Sequence, residues 1–420
     1  MNDSKSTSQL EAIKAIQKKL LGKKLSYKEI YQIMDEIAHH KLSDVLTTYF
    51  VASSFREGFS TEELFFLTKA MVETGTKLHF DGIVADKHSS GGSAGTRTTL
   101  IIVPIIAAAG FKIPKVSSRA ITTPAGTADV METLAKVEFK PREVEKIVNN
   151  VGGCIIWNGY LGLAPADDII IRVEEPLMFE PFDKLIVSIM AKKAAVSTTH
   201  LILDIPVGKT MKIHHFSDGE KVADKFKKLG KEFGMKIIAD INETLEPAGR
   251  GVGPFLEAKD ALAVLEQTPD RPLKLEAKAL RLAGKLLDLC YKDAGIDKNG
   301  EDEAHRILTS GAALKKFLEI VKAQGGDDQI SSRTLKTKAK KTEIISKKSG
   351  RIKEINNYNV TAVAKVLGAP QDKFGGLYLL KKLDETISKH EAIVELYSTD
   401  PYKLKEAEVT LQNFPIYTIE

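Results

Sequence analysis

A glycine-rich stretch of the chain carries side chains suited to holding an anion. Asp86–Thr99 contains three glycines among serines and threonines, and an apolar helical pattern follows it. Glycines let the backbone approach an anion and turn its N–H groups toward it, and the next helix start adds partial positive charge. Lys87 adds a full charge, and Ser89, Thr98 and Thr99 add hydroxyl donors. The pattern predicts an oxyanion site; a polar surface turn is the alternative.

Two common nucleotide-binding motifs do not fit this stretch. It lacks the GxGxxG of dinucleotide sites, and no Gly-Lys-Ser/Thr closes it as in a P-loop. The one Gly-Lys-Thr in the chain, Gly208–Thr210, has Leu203 where a P-loop needs its first glycine. Walker-type binding of a triphosphate is therefore not predicted.

A second polar cluster, Ser117–Asp129, is predicted to follow a strand. It contains five hydroxyl side chains and one arginine, Arg119. Ligands of open α/β sheets bind beyond the carboxyl ends of the strands. The cluster is therefore predicted to surround a second anion or a sugar. Capping of the next helix by Thr127 or Asp129 is the alternative.

A third candidate is the pair Ser188 and Lys192, which lie four residues apart and so share one face of a helix. A Ser–Lys nucleophile uses a three-residue step, so a face that hydrogen-bonds a polar ligand is the better functional interpretation. An exposed lysine on an ordinary helix is the alternative. The histidines show no metal-binding spacing, and no metal site is predicted. His88 is singled out because it lies inside the predicted anion site.

The elements around these clusters fall into three regions. The N-terminal part is predicted to be helical, with capping boxes at Ser26 and Ser60. From Leu78 onward, β-branched stretches alternate with helical ones, which is typical of a mainly parallel sheet. An amphipathic helix near 181–196 is expected to return to the N-terminal helices. The predicted α/β fold has a small all-helical domain (1–75 with 162–196), a larger α/β domain (76–161 with 197–335) and a C-terminal α+β subdomain (336–420).

Composition limits the classes of partner. The 420 residues carry 61 Lys+Arg and 56 Asp+Glu, a formal net charge of +5. This mild excess suits small anions better than a nucleic-acid duplex, which needs a concentrated basic face. The two cysteines cannot form a disulfide framework. The longest apolar run, 100–110, has about half the length of a membrane span, and residues 1–10 lack an apolar signal region. We expect a cytoplasmic protein with no nucleic-acid or membrane partner.

At these clusters the sequence resembles the nucleoside phosphorylase-II family, which holds thymidine and pyrimidine-nucleoside phosphorylases and archaeal AMP phosphorylases. The stretches that carry the resemblance are Lys87–Thr99, Ser117–Asp129, Leu163–Asp168 and Ser188–Lys193. It implies a closing cleft between a helical and an α/β domain, a homodimer, and no cofactor besides inorganic phosphate as co-substrate. Ser188 and Lys192 would face the nucleobase. The residues implied to hold phosphate are Lys87, Ser89, Thr98, Ser117 and Thr127.

Within the family, Ser118–Thr127 resembles the AMP phosphorylase version more than the Gly-His-Thr-Gly-Gly-Thr stretch of thymidine phosphorylases. Two departures are that Glu180 stands where the AMP branch has a proton-donating Asp, and that the branch's additional N-terminal domain has no counterpart. The residues implied to surround the nucleotide are Gly92, Ser118, Arg119, Ala120, Ile121, Thr122, Thr123, Thr127, Ser188, Lys192 and Lys212.

The implied reaction is phosphorolysis of a nucleoside 5′-monophosphate similar to AMP, giving free base and ribose 1,5-bisphosphate. The leaving base needs a proton donor. The candidates are Glu180, first for a purine, then Lys192, first for a pyrimidine, and His88. Two alternatives stay open: a thymidine or pyrimidine-nucleoside phosphorylase, and a non-catalytic nucleotide-binding protein. The side chains expected to meet a 5′-phosphate are Arg119, Thr122, Thr123 and Lys212.

Overall fold

The computed structural model describes residues 7–53, 58–91, 93–120, 123–174 and 182–420. Its N-terminal part is helical. The hydroxyls of Ser26 and Ser60 accept hydrogen bonds from the backbone N–H groups of Glu29 and Glu63, whose carboxylates accept from the cap residues in return. Both predicted capping boxes are therefore present. The N-terminal helices are α1 (Thr7–Leu20), α2 (Tyr27–Ala38), α3 (Asp44–Ala52) and α4 (Thr61–Glu73).

A parallel sheet follows. It is made of two groups of strands in the orders β1-β4-β5 and β2-β3, all pairs parallel. A parallel bridge between Val84 and Lys112 joins the two groups, and the N–H of Ala85 donates to the carbonyl of Lys112 at 2.8 Å. The predicted α/β fold class is confirmed. The strands are β1 (Ala85–Ser89), β2 (Ile113–Ser117), β3 (Gly153–Trp157), β4 (His200–Val207) and β5 (Lys236–Glu243).

Helices alternate with these strands. The first of them, α5, leaves β1 through the glycine-rich stretch and is apolar on all sides, with Thr99 through Ala107 buried. Such a helix belongs in the middle of a core, and α5 contacts β2 and β3. The helices are α5 (Thr99–Ala108), α6 (Thr127–Met131), α7 (Pro141–Val151), α8 (Pro165–Glu174), α9 (Phe182–Ala195), α10 (Phe216–Glu232), α11 (Pro254–Leu265), α12 (Leu273–Ala294), α13 (Gly300–Thr309) and α14 (Ala312–Ala323).

Helix α9 lies between the helical bundle and the sheet. Its Val187 and Ala191 join the apolar core of the N-terminal helices, as does Ile170 of α8. Its Ile189 and Met190 instead join the core formed with β4 and α10. Side chains on α9 therefore reach both the bundle and the sheet. The domain boundaries expected from the sequence stay a prediction.

The C-terminal part forms a unit of strands and two helices. A short strand of the central region, β6 (Gly251–Val252), pairs antiparallel with β9 and so joins this unit to the rest. The sheet orders are β6-β9-β11-β7 and β10-β8-β12. The elements are β7 (Lys340–Ile345), β8 (Gly350–Ile355), α15 (Asn357–Val366), β9 (Gly376–Leu379), β10 (Thr386–Ile387), β11 (Ala392–Ser398), α16 (Pro401–Asn413) and β12 (Tyr417–Ile419).

Neither a membrane-spanning helix nor a cluster of metal ligands occurs in the described ranges. No helix in these ranges combines the length and apolar character needed to cross a bilayer. Nor do three or more His, Cys, Asp or Glu side chains there come together in a way that would hold a metal ion.

Candidate active site

The glycine loop (residues 89–98) connects β1 to α5. Lys87 is buried in β1, and Ser89 is the last residue of that strand. Gly91 and Gly95 have φ values of 88° and 59°, left-handed conformations that favour glycine. A Cβ atom at Gly95 would lie 2.8 Å from the carbonyl oxygen of Gly251. The loop thus passes so close to β6 that a larger residue than glycine would not fit at this position.

Three buried polar atoms near this loop lack partners. Within the described part of the chain, Oγ1 of Thr98, Oγ of Ser90 and Nδ1 of His88 make no hydrogen bond. A buried polar atom without a partner costs about 1–3 kcal/mol. Their concentration around one glycine loop indicates a place for a polar ligand.

Lys87 is held by an ion cluster on the sheet. Its Nζ lies 3.8 Å from Oδ2 of Asp204 on β4, and Nζ of Lys278 on α12 lies 3.0 Å from Oδ1 of the same carboxylate. Burial lowers the pKa of Lys87 to about 8; Asp204 opposes this change, and Lys278 adds to it. Asp204 is shared between Lys87 and Lys278, so its single negative charge neutralises Lys87 only in part. The remaining positive charge of Lys87 is available to attract an anion.

The environment of His88 favours the neutral form of its imidazole ring. Burial moves its pKa well below the ordinary value, and the ammonium groups of Lys193, Lys115 and Lys87 push it in the same direction. A neutral ring can donate one N–H hydrogen bond, but it is not an acid at neutral pH. The lowered pKa argues against His88 as an acid, and its role as a catalytic residue stays a prediction.

The second polar cluster forms a loop between β2 and α6. Ser117 ends β2, and Thr127 is the first residue of α6. The Asp129 carboxylate accepts from the N–H groups of Ala120 at 2.7 Å and Gly126 at 2.9 Å, so the capping alternative is correct for Asp129. Thr127 instead accepts a hydrogen bond from the Arg97 guanidinium at 3.3 Å. Arg97 thereby connects the glycine loop to this second loop.

Arg119 is surrounded by carboxylates. Its guanidinium donates to Glu132 and, at 3.2 Å, to Glu138, and it lies 3.5 Å from Asp129. Hydrogen bonding by Glu132 raises its pKa. Binding a 5′-phosphate would require Arg119 to exchange these partners. The other described residues predicted around the nucleotide have these positions: Ser118 is exposed, Ala120 and Thr123 are half-buried, and Lys212 is exposed in the turn after β4.

Ser188 and Lys192 do face the same way on α9. The Ser188 hydroxyl donates to Oδ2 of Asp167 at 2.6 Å, and Nζ of Lys192 lies 2.7 Å from that oxygen. Burial pushes the pKa of Asp167 upward, but the ammonium groups of Lys192 and Lys184 hold it below its ordinary value. Lys184 also pairs with Glu174. We call Asp167, Glu174, Lys184, Ser188 and Lys192 the helix cluster.

A buried ion pair joins α9 to β1. Nζ of Lys193 lies 2.6 Å from Oδ2 of Asp86, the neighbour of Lys87, and Nζ of Lys115 lies 3.4 Å from Oδ1. Lys115 also donates to the carbonyl of Lys87 at 2.7 Å. The structure thus brings the first and third sequence clusters together. The strand cluster consists of Asp86, Lys87, Lys115, Lys193, Asp204 and Lys278.

Four candidate residues lie outside the described residues, and their roles stay predictions. They are Gly92, Ile121, Thr122 and Glu180.

Sequence reasoning missed several charged residues of this region. Asp204, Lys115, Lys278, Arg97 and Asp167 had no role assigned to them. Two of them carried a signal, since Asp204 and Lys115 are lone charges within the apolar strands β4 and β2. A charge in a buried strand needs a partner, so each of these residues could have been used to predict a polar contact, although not its location.

Known proteins share this architecture. A family model described as glycosyl transferase family, a/b domain, matches residues 81–314, and its helical bundle domain matches residues 13–75. The C-terminal domain of pyrimidine nucleoside phosphorylase matches residues 351–416. The crystal structure of anthranilate phosphoribosyltransferase from Thermus thermophilus superposes with a TM-score of 0.59 and 18% identity, covering 74% of this chain and 99% of that one. That likeness shows the fold.

Relatives match over nearly the whole chain. AMP phosphorylase 1 of Archaeoglobus fulgidus is 41% identical over 398 residues, 94% of this chain and 78% of the relative. AMP phosphorylase of Methanococcus maripaludis is 42% identical with the same coverage. A protein of Legionella pneumophila (strain Paris) named for thymidine phosphorylase is 40% identical, covering 95% of this chain and 76% of its own. The resemblance seen in the motifs is confirmed: the chain belongs to the glycosyl transferase family that contains the AMP and thymidine phosphorylases.

Proposed function

We propose that this protein cleaves the N-glycosidic bond of AMP, or of a similar nucleoside 5′-monophosphate, with inorganic phosphate. The products are the free base and ribose 1,5-bisphosphate. The observation that carries the proposal is Lys87, a buried ammonium beside a glycine loop whose buried hydroxyls lack partners among the described residues. AMP phosphorylases that are 41–42% identical to this chain support a nucleotide substrate.

Phosphate is the nucleophile in this reaction. One of its oxygens forms a bond to C1′ while the bond from C1′ to the base nitrogen breaks, and that bonding pair leaves with the base. Charge-assisted hydrogen bonds, worth about 1.5–3 kcal/mol each, would desolvate the phosphate and aim it. The proposed phosphate ligands are Lys87, Ser89, Thr98, Ser117 and Thr127.

The leaving base gains negative charge and needs a donor. Lys192 can donate a hydrogen bond without changing its protonation, since Asp167 holds its ammonium beside Ser188. The neutral ring of His88 can donate through one nitrogen. Glu180 stays the first candidate for full proton transfer to a purine. General acid assistance contributes typically about 10²–10⁴-fold.

A pyrimidine-nucleoside phosphorylase is the second candidate. The carboxylates around Arg119 favour it, because an arginine that is already matched is less available to a 5′-phosphate. The match of residues 351–416 and the names of the Legionella relatives support it as well.

We propose further that phosphate is the sole co-reactant, with no cofactor, and that the partners are small molecules rather than nucleic acid or membrane. A cytoplasmic homodimer is part of this proposal.

A substrate panel tests the function. Nucleosides and their 5′-monophosphates are incubated with and without inorganic phosphate, and free base is measured. We expect phosphate-dependent release of adenine from AMP. Release from unphosphorylated pyrimidine nucleosides alone would select the second candidate. A nucleotide-binding protein without activity would show binding but no base release in any arm.

A further inference from the structure

The strand cluster has an unbalanced charge. Each of its two carboxylates forms ion pairs with two lysines. Asp204 pairs with Lys87 and Lys278, and Asp86 pairs with Lys115 and Lys193. All six side chains are at most 7% exposed. With all four lysines protonated, four ammonium groups against two aspartates give a surplus of two positive charges among the described residues of this cluster.

Two neighbouring groups of buried charges have equal numbers of cations and carboxylates in their ion pairs. In the helix cluster, Lys184 and Lys192 face Asp167 and Glu174. Arg97 pairs with the buried Glu257 at 2.8 Å. Asp240 on β5 also faces two cations, Arg281 and Lys285, but both are about 40% exposed and so solvated, whereas all four lysines of the strand cluster are buried.

A buried charge without a partner destabilises the folded protein, because no ion pair offsets the free energy of its desolvation. Two solutions exist: a lysine gives up a proton, or an anion binds. A doubly charged anion at the loop would balance the cluster. In its absence, burial lowers the pKa of Lys115 to about 7 and that of Lys87 to about 8.

The polar contacts of the Lys115 side chain are with β1, the strand that leads into the glycine loop. Its Nζ contacts the carbonyl of Lys87 and the carboxylate of Asp86. The ammonium group of Lys193 and that of Lys87 both disfavour its charged form. The titratable groups that face it from the packed elements are Asp86, Lys87 and His88 on β1, Cys154 on β3 and Lys193 on α9.

We propose that Lys115 is a positioning residue of the anion site that takes up a proton when a dianion binds at the glycine loop. The inference rests on the proposed function and adds the ionic form of the ligand, the dianion of inorganic phosphate. The bound dianion supplies the missing negative charge, so Lys115 becomes an ammonium and holds the Lys87 carbonyl. The proton comes from solvent, and no covalent bond changes.

Calorimetry of the full chain tests this. Sulfate or inorganic phosphate is titrated at pH 7.5 in buffers with different ionisation enthalpies, which yields the number of protons taken up per anion. Sulfate is the decisive probe, because it stays doubly charged throughout this pH range. We expect between half a proton and one proton taken up per sulfate, and an affinity that falls as pH rises from 7 to 9.

Two variants test whether Lys115 is the residue that takes up the proton. Lys115→Met should remove most of the uptake at pH 7.5 and make the fall of sulfate affinity with pH less steep; the remaining fall comes from Lys87, whose pKa is about 8. Lys19→Met is the matched control, because Lys19 is a lysine of similar burial in α1, paired with Glu63; its uptake should equal that of the wild type.

Each outcome is decisive. Sulfate binding with no proton uptake in the wild type would overturn the inference, even where Lys115→Met fails to fold, and would leave phosphorolysis intact. Uptake unchanged in Lys115→Met would overturn the assignment to this residue. Absence of both anion binding and phosphate-dependent base release would overturn the proposed function as well.

Discussion

The guanidinium of Arg119 lies over the indole ring of Trp157, 4.7 Å from the ring centroid. Trp157 is the only tryptophan of the chain and ends β3, where it pairs in register with Ser117. Arg119 is thus placed between an aromatic face and the carboxylates of Glu132 and Glu138. The fluorescence of Trp157 should therefore change when Arg119 changes its binding partners.

We expect AMP to change the fluorescence of Trp157. A 5′-phosphate would draw Arg119 from its carboxylates and alter the charge above the ring. The measurement is a fluorescence titration with AMP, with adenosine, which lacks the phosphate, as the control. An emission spectrum unchanged at saturating AMP would argue against Arg119 as the phosphate ligand.

Substituting Lys87 should weaken the use of phosphate. Lys87→Met removes a charge-assisted hydrogen bond worth about 1.5–3 kcal/mol, so KM for phosphate is expected to rise about 10- to 100-fold. Steady-state kinetics with varied phosphate measure this. Lys285→Met, which removes a half-exposed lysine paired with Asp240, is the control and should leave this KM unchanged. Equal KM values in the two variants would contradict the anion site.

Substituting Arg97 should affect stability and phosphate binding separately. Arg97→Met leaves the buried Glu257 without its partner, a loss of about 3–5 kcal/mol in the free energy of unfolding. Burial already raises the pKa of Glu257, against the effect of Arg97. Denaturant unfolding measures the loss.

The double variant Arg97→Met/Glu257→Gln separates the two roles. Without the unpaired carboxylate, it should recover most of the stability. KM for phosphate should stay raised, because Thr127 has lost its hydrogen bond from Arg97. Recovery of both properties together would mean that Arg97 acts only on stability.

Stability should rise with pH in the absence of anions. The pKa values of about 8 for Lys87 and about 7 for Lys115 lie below that of a free lysine, about 10.4. Between about pH 7 and 9 these two groups bind more protons in the unfolded chain than in the folded one, so their contribution to the free energy of unfolding increases with pH.

Thermal unfolding at pH 7, 8 and 9 measures this slope. Sulfate should raise Tm most at pH 7 and least at pH 9, because its affinity falls as these lysines lose their protons. In Lys115→Met the slope should be smaller. A sulfate effect of the same size at every pH would contradict the charge surplus.

Local spacing in the sequence predicted several local features of the structure. The glycine loop, the capping boxes at Ser26 and Ser60, and the shared face of Ser188 and Lys192 each depend on residues within one or two turns. Such contacts follow from backbone geometry alone. The β–α alternation likewise predicted the parallel sheet.

Contacts between distant residues could not be read in this way. Lys193 and Asp86 are 107 residues apart, and Arg97 and Glu257 are 160 apart. Nothing in the local pattern around Arg119 showed that Glu132 and Glu138 would surround it. From the sequence, Arg119 was predicted to be a cation available to a phosphate. In the structure its guanidinium is already paired with carboxylates.

The sequence by itself determined which chemical groups the protein has and which of them share a loop, a strand or a helix face. Only the tertiary structure decided which charges neutralise each other and which stay unmatched. The physical reason is that the energy of a charge depends on its burial and on partners within a few ångströms. At Lys87 and Lys115 those partners come from elements that the packing of sheet and helices brings together.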